Sequence, residues 1–406
     1  MNNIKVRLTI LSFLQFFIWG AWLISLGAYM SRTLGFTGSE IGSVYATMGI
    51  ASVIMPGIMG ILADKWINGE RLLGICHLIG GGLSIWAASV ASPQAMFWVM
   101  LLNMLMYMPT LALSNAVSYN ILTKNGLDPI KDFPPIRVFG TVGFIAAMWV
   151  VDLMGLTLSP MQLYVSAATS FIMFFYALTM PACPPAKTQK TTSFASIFGL
   201  DAFVLFKRRK MMIFFIFALL LGAALQITNT FGVPFLDSFK DQSQYAGTFT
   251  VKHPNILMSI SQMSETLFIL CIPFFMKRFG IKNVMLLSMF AWVLRFGLFG
   301  IGNPGDGVIF LILSMIIYGM AFDFFNISGS LFVETESSPE TRASAQGLFM
   351  IMTNGIGAII GAKASGWIVD YFTIDGIQNW EYIWFVFAGY ALVIGIAFAF
   401  IFKSEK

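Results

Sequence analysis

The stretch VIFLILSMIIYGMAFDFFNISGSLFV, residues 308–333, decides the fold of this chain. It carries one charged residue, Asp323, in a run longer than the roughly 20 apolar residues that an α-helix needs to cross a bilayer. We therefore predict a membrane-spanning helix here. A charge at the centre of such a helix costs about 2.5–3.5 kcal/mol on insertion scales. Asp323 is therefore expected to face a protein interior or a water-filled cavity and to have a function.

The rest of the chain repeats this apolar pattern. Of its 406 residues, 57% are hydrophobic and 11% are charged, whereas soluble domains carry roughly 25% charged residues. The predicted spans, each of roughly 20 residues or more, lie at about 8–31, 40–63, 70–91, 95–118, 136–155, 161–182, 211–236, 256–276, 282–301, 307–333, 342–369 and 380–402. They leave no room for a sizeable soluble domain. The fold class is therefore all-α integral membrane, with twelve transmembrane helices.

The longest predicted loop divides the chain into two halves. We expect a six-helix half at residues 1–182, a central cytoplasmic loop at 183–210 and a second six-helix half at 211–406. A faint repeat supports this division, because short charged turns follow the second helix of each half, at 60–66 and 274–280. Two six-helix halves around a central cavity resemble the major facilitator layout, in which substrate binds between repeats.

The positions of lysine and arginine predict the orientation in the membrane. If the N-terminus is cytoplasmic, the outside segments hold only Arg32, Lys240 and Lys252, and nearly all other loop cations lie inside. Cytoplasmic loops of membrane proteins carry such an excess of positive charge. Both termini are therefore predicted to be cytoplasmic.

Three spans of the second half carry polar pairs three residues apart, and residues at i and i+3 share one helix face. The pairs are Gln226 with Asn229, Gln262 with Glu265, and Asp323 with Asn326. A single amide in a span is usually interhelical glue. Three such stripes, two of which contain a carboxylate, instead predict helices that converge on one polar cavity.

Aromatic residues accompany these polar stripes. Four groups of residues at helical spacing contain an aromatic ring. They are Tyr318 with Phe322 on the helix of Asp323, Gln15 with Trp19, Asn103 with Tyr107, and Arg137 with Thr141 and Phe144. Taken singly, each aromatic is more often a packing or lipid-facing residue. The mixture of amides, acids and rings favours a neutral, planar, hydroxylated ligand over a bare ion. Arg137 also has a simpler explanation, because it follows two prolines at the predicted cytoplasmic start of a span.

Other ionisable residues have weaker patterns. Arg295 and Lys363 lie within predicted spans, where pairing with a carboxylate, snorkelling and lipid binding remain alternatives. His77 and His253 are predicted near span ends, where an interfacial position is expected more than a proton relay. The sequence contains no glycine-rich phosphate loop, no nucleophile–base pattern and no metal-ligand cysteine spacing. An ATP-driven pump, an enzyme and a metal site are therefore not expected.

Several long stretches resemble a known family, the nucleoside–proton symporters of the major facilitator superfamily in bacteria. They are LSFLQFFIWGAW (11–22), DFPPIRVFGTVGF (132–144), LQITNTFG (225–232), SISQMSETLFIL (259–270), YGMAFDFFNISGS (318–330) and RASAQGLFMIMTNG (342–355). The resemblance implies import of purine or pyrimidine nucleosides with protons, by alternating access, across the bacterial cytoplasmic membrane. It implies no cofactor beyond the proton gradient. The expected partners are a nucleoside, a proton and membrane lipids, with a monomer as the default state.

The resemblance also places the family's substrate contacts on ten residues of this chain. They are Arg137, Thr141, Phe144, Gln226, Asn229, Gln262, Glu265, Phe322, Asp323 and Asn326. Asp323 and Glu265 are the two candidates for carrying the proton, because burial favours the protonated form of an acid. A proton-coupled sugar permease, a substrate sensor and an intramembrane enzyme remain as rival hypotheses.

Overall fold

The computed structural model describes residues 2–185, 200–338 and 341–402. They belong to two compact units, one formed by Met1–Phe36 with Ile50–Ser193 and the other by Thr37–Gly49 with Phe194–Lys406. The predicted central loop lies partly outside the described residues. Its described end forms a 3₁₀ helix, Leu200–Lys207.

The first unit contains the N-terminal helices. They are α1 (Asn2–Gly20), α2 (Leu26–Ala28), α3 (Gly38–Lys65), α4 (Gly69–Ala88), α5 (Pro93–Lys124), α6 (Pro129–Leu153) and α7 (Met161–Leu178). A π-helical turn, Tyr29–Thr33, follows α2 and extends the first span. The first residues of α3 belong to the second unit.

The second unit contains the remaining elements. They are α8 (Arg209–Ser238), a 3₁₀ turn (Phe239–Asp241), α9 (Phe249–Lys252), α10 (Pro254–Ile301), α11 (Val308–Glu336), α12 (Arg342–Met350), a π-helix (Ile351–Gly357), α13 (Ala358–Tyr371), strands β1 (Thr373–Ile374) and β2 (Ile377–Gln378), and α14 (Trp380–Ile401). The two strands form a small antiparallel hairpin between the last two spans. This hairpin was not predicted from the sequence.

The helices described above provide twelve membrane spans. Nine helices of the described ranges are long and apolar enough to cross a membrane, and the bent helix α3 is a tenth. Helix α10 consists of two spans, because Gly280 interrupts it with φ 75° and ψ 167°. The N-terminal helix α1 with its extension provides the remaining span. The predicted all-α membrane fold is confirmed.

Large apolar side chains cover the outside of the helices. Phe400 is 81% exposed, Leu270 is 74% exposed and Trp98 is 62% exposed. Soluble proteins rarely expose apolar surface on this scale, so these side chains are suited to contact with lipid. The interior of the second unit is aromatic, with Trp292 and Trp384 almost fully buried.

Helix α6 begins earlier than predicted, at Pro129 instead of about 136. Proline is favoured in the first turn of a helix, where its missing N–H is not needed. The side chain of Asp128 caps this turn by accepting a hydrogen bond from the N–H of Ile130 at 2.9 Å. Arg137 therefore lies two turns inside the helix.

The beginning of α3 packs against α13 within the second unit. A Cβ on Gly38 would lie 2.5 Å from the carbonyl oxygen of Gly366. The Asp370 carboxylate accepts hydrogen bonds from the N–H groups of Gly38, at 2.6 Å, and Ser39, at 2.8 Å. It thereby caps α3 from another helix, with the negative charge that a helix N-terminus favours.

Candidate functional site

The first part of α10 crosses α11 at Gly319. A Cβ on this glycine would lie 2.6 Å from the carbonyl oxygen of Ser264 and 2.8 Å from the nitrogen of Glu265. The hydroxyl of Ser264 donates to the carbonyl oxygen of Ile316 and accepts from the N–H of Gly319. The absence of a side chain therefore allows backbone contact, which holds Glu265 next to the polar face of α11.

Two carboxyl groups meet at this crossing. Asp323 is 4% exposed, and among the described residues its Oδ2 has no hydrogen-bond partner. Glu265 is half-buried and interacts electrostatically with Asp323. An unpartnered oxygen on a buried acid is costly, so the site is suited to an additional proton or a ligand donor.

A tyrosine links the aromatic and polar parts of the site. The rings of Tyr318 and Phe322 are stacked, with centroids 5.7 Å apart and planes inclined by 6°. The Tyr318 hydroxyl lies close to the side chain of Gln262. Tyr318 was not among the ten substrate residues, although its spacing from Phe322 had placed it in the predicted aromatic cavity.

The polar pair on α8 is joined directly. The Asn229 amide donates to the side-chain oxygen of Gln226 at 2.9 Å, and Gln226 is 3% exposed. The i, i+3 spacing thus places both amides on one face, as helix geometry predicts. Each keeps further hydrogen-bonding atoms, because an amide has two donors and an acceptor oxygen.

A small pocket opens beside these residues in the second unit. Phe322 and Asn326 line it, together with Trp292 and with Thr353 and Asn354 of the π-helix. Thr353 and Asn354 were not predicted as site residues, although they lie near the end of the stretch 342–355 that carries the family resemblance.

The π-helix presents Asn354 to this cavity because α8 approaches very closely. A Cβ on Gly357 would lie 2.5 Å from the carbonyl oxygen of Leu219, and one on Gly222 would collide with the backbone of Thr353. Such single-turn π segments occur frequently at functional sites. The amide of Asn354 donates only a long contact, 3.7 Å, to the sulfur of Met350.

The first unit holds the other three predicted substrate residues on α6. Glycines on this face bring α6 to α1, and a Cβ on Gly140 would lie 2.7 Å from the Phe16 ring. The guanidinium of Arg137 lies 3.9 Å from the centroid of that ring, a cation–π distance. Phe144 packs edge-on against Trp19, with centroids 6.2 Å apart, and Thr141 is half-buried on the same helix.

A buried hydrogen-bond network stands beside this aromatic group. Gln15 bonds through its side chain to His77, at 2.9 Å, and donates to Thr110, at 2.8 Å. The Tyr107 hydroxyl donates to the backbone oxygen of Gln15. His77 is 2% exposed, so it is buried among the helices of the first unit.

Asn103 also differs from its predicted role near the aromatic cavity. Its amide donates to the Gly80 carbonyl and to the Ser84 hydroxyl, both at 2.9 Å. These bonds join α5 to α4 and use both N–H groups of the amide. Asn103 is therefore interhelical glue, as single amides in spans commonly are.

Comparison with known proteins identifies what this chain is similar to. A family model described as "Nucleoside H+ symporter" matches residues 1–406. The xanthosine permease of Escherichia coli (strain K12) is 59% identical over 402 residues, covering 99% of this chain and 96% of the relative. The nucleoside permease NupG of the same organism is 56% identical over 404 residues, covering 99% and 97%.

Solved structures show the same similarity. A crystal structure of the nucleoside transporter NupG (D323A mutant) aligns with a TM-score of 0.97 at 55% identity, covering 99% of this chain and 100% of that chain. A bacterial homolog to the human lysosomal transporter Spinster aligns with a TM-score of 0.71 at 14% identity, covering 99% and 96%. The second match supports the fold alone.

Proposed function

This chain belongs to the nucleoside H⁺ symporter family, and from that premise we propose how its residues bind the nucleoside and couple its import to a proton. The protein is a multi-pass membrane transporter that imports nucleosides with protons, and it is not an enzyme. Its location in a bacterial inner membrane is part of the proposal and follows from the family resemblance. The cytoplasmic position of both termini is also proposed, and it rests on the positions of lysine and arginine. A monomeric state, contact with lipids and the absence of a cofactor are also part of the proposal.

The nucleoside is bound by the ten residues that the family resemblance identified. In the second unit, Phe322 offers a ring face for the base. The amides and acids of Gln262, Glu265 and Asn326 offer acceptors and donors for ribose hydroxyls and base edges. Small-molecule sites commonly combine apolar walls with a few such convergent polar groups. In the first unit, Phe144 offers a second ring and Arg137 offers hydrogen-bond donors.

The proton is carried by Asp323, assisted by Glu265. What supports this proposal is the unpartnered Oδ2 of a buried carboxyl group beside a second acid. Protonation removes a charge from the membrane interior, where it is expensive. A site that binds nucleoside best when this acid is protonated couples the two movements, since each ligand then raises the affinity for the other. Alternating access releases both inside.

Proteoliposomes with an imposed inward proton gradient test this proposal. Wild-type protein should accumulate radiolabelled uridine, adenosine or xanthosine, and disaccharides should not compete. We expect Asp323→Asn to abolish uphill accumulation while it retains nucleoside exchange across the membrane. Glu265→Gln should weaken both. Asp306→Asn, in an exposed loop, is the matched control and should behave as wild type. Wild-type accumulation by both Asp323→Asn and Glu265→Gln, at equal protein levels, would refute the assignment of the proton to these acids.

A further inference from the structure

A buried arginine lies next to the candidate site without belonging to it. Arg295, in the second part of α10, is 1% exposed. Its Nη1 donates to the Ser314 carbonyl at 2.9 Å and to the Ser261 hydroxyl at 3.4 Å, whereas its Nε has no hydrogen-bond partner in the described part of the chain. A buried guanidinium with an unsatisfied N–H is expensive, which calls for a compensating role.

The other contacts of this guanidinium are aromatic. Its central carbon lies 4.6 Å from the centroid of Tyr318 and 5.2 Å from that of Phe299. Cation–π contacts are strongest where water is excluded, and Tyr318 is only 5% exposed. Arg295 therefore restrains the orientation of the Tyr318 ring.

Tyr318, whose ring Arg295 restrains, also contacts residues of the candidate site. Its ring stacks on Phe322, and its hydroxyl lies close to the side chain of Gln262. The charged groups that face Tyr318 are Arg295 on one helix segment, Glu265 on another and Asp323 on its own helix. The Tyr318 ring thus connects Arg295 to Phe322 and Gln262, which are both proposed substrate contacts.

We propose that Arg295 is a positioning residue for nucleoside binding, which acts by holding Tyr318 against Phe322 and Gln262. This inference rests on the proposed function, because it takes those two residues as substrate contacts. The competing explanation is a structural anchor that ties α10 to α11 through serine and has no effect on affinity. Replacing Arg295 by lysine distinguishes the positioning role from the structural anchor. Lysine keeps the positive charge but lacks the planar guanidinium that packs on Tyr318.

A double-mutant cycle of nucleoside uptake in proteoliposomes tests the inference. The variants are Arg295→Met, Arg295→Lys, Tyr318→Leu and the combination of Arg295→Met with Tyr318→Leu. Lys363→Met is the matched control, because Lys363 is also a cation within a span but is exposed. KM and maximal rate are measured for uridine and xanthosine, with rates corrected for the amount of folded protein.

We expect Arg295→Met to raise KM about tenfold or more, with a smaller change in maximal rate. Arg295→Lys should recover part of the affinity and keep the protein testable if the methionine variant does not fold. The double variant should be no weaker in affinity than Tyr318→Leu alone, and Lys363→Met should match wild type.

An unchanged KM in Arg295→Met or Arg295→Lys would overturn the inference, as would fully additive effects in the double variant. If the wild-type protein itself transports neither nucleoside, the proposed substrate assignment fails instead. The two failures are therefore distinguishable within the same assay.

Discussion

Replacing Gly319 by alanine should disable the site without touching any ligand-binding side chain. The new Cβ would meet the backbone of Ser264 at 2.6 Å and of Glu265 at 2.8 Å. Ordinary contacts begin at 3.4 Å, so α11 must move away from α10 by about 0.8 Å. Such overpacking costs about 1–3 kcal/mol, against which the better helix propensity of alanine returns about 1 kcal/mol.

The functional effect should be similar in size to the loss of stability. We therefore expect KM for nucleoside uptake to rise roughly tenfold, which corresponds to about 1.4 kcal/mol of binding free energy. The assay is proton-driven uptake in proteoliposomes, together with thermal unfolding of the purified protein, whose Tm should fall by a few degrees at most.

Gly297→Ala provides the matched control for this experiment. Gly297 lies in the second part of α10, and a Cβ there would have no atom within 4 Å. Alanine should therefore leave uptake unchanged and stabilise the helix slightly. Our account of the helix crossing would be refuted if Gly319→Ala retained wild-type KM and wild-type Tm.

Three further outcomes are expected. Asn354→Ala should raise KM for nucleosides several-fold through the loss of a hydrogen bond of about 1 kcal/mol, and an unchanged KM would remove Asn354 from the cavity's function. Asp370→Asn should lower Tm, because it removes the charge that caps α3 at Gly38, a contribution of about 0.3–1 kcal/mol; an unaltered Tm would contradict this. Burial, with a smaller contribution from Glu70, raises the pKa of the Cys183 thiol to about 11. The thiol is therefore neutral at pH 7. In a variant with Cys183 as its sole cysteine, alkylation by iodoacetamide should be slow at pH 7 and accelerate as the pH rises towards 11; rapid alkylation at pH 7 would contradict this.

Hydropathy predicted the spans because membrane helices need long apolar runs, and even the break between the two spans of α10 was expected near Gly280. Helix ends were harder to predict from the sequence. The earlier start of α6 depends on the cap by Asp128 and on the tolerance for Pro129 at the first position. These local contacts decide a boundary over several residues, whereas hydropathy changes only gradually there.

The site was predictable where it depends on local helix geometry. The spacing of Gln226 and Asn229 placed both on one face, and they are hydrogen-bonded. Contacts between distant segments were not predictable. His77 is buried where it meets Gln15 of another helix, and Asn354 lines a pocket that the π-helix shares with α8, α10 and α11. No pattern within a single segment carries that information.

The glycine crossing at Gly319 has a consequence for how such a protein can evolve. The positions of α10 and α11 are set there by main-chain atoms, independently of the side chains that line the cavity. Phe322, Asn326 and Gln262 can therefore be exchanged in a library while the scaffold between them stays in register. Selection for a new cargo should accumulate substitutions at such lining positions and leave the glycine untouched.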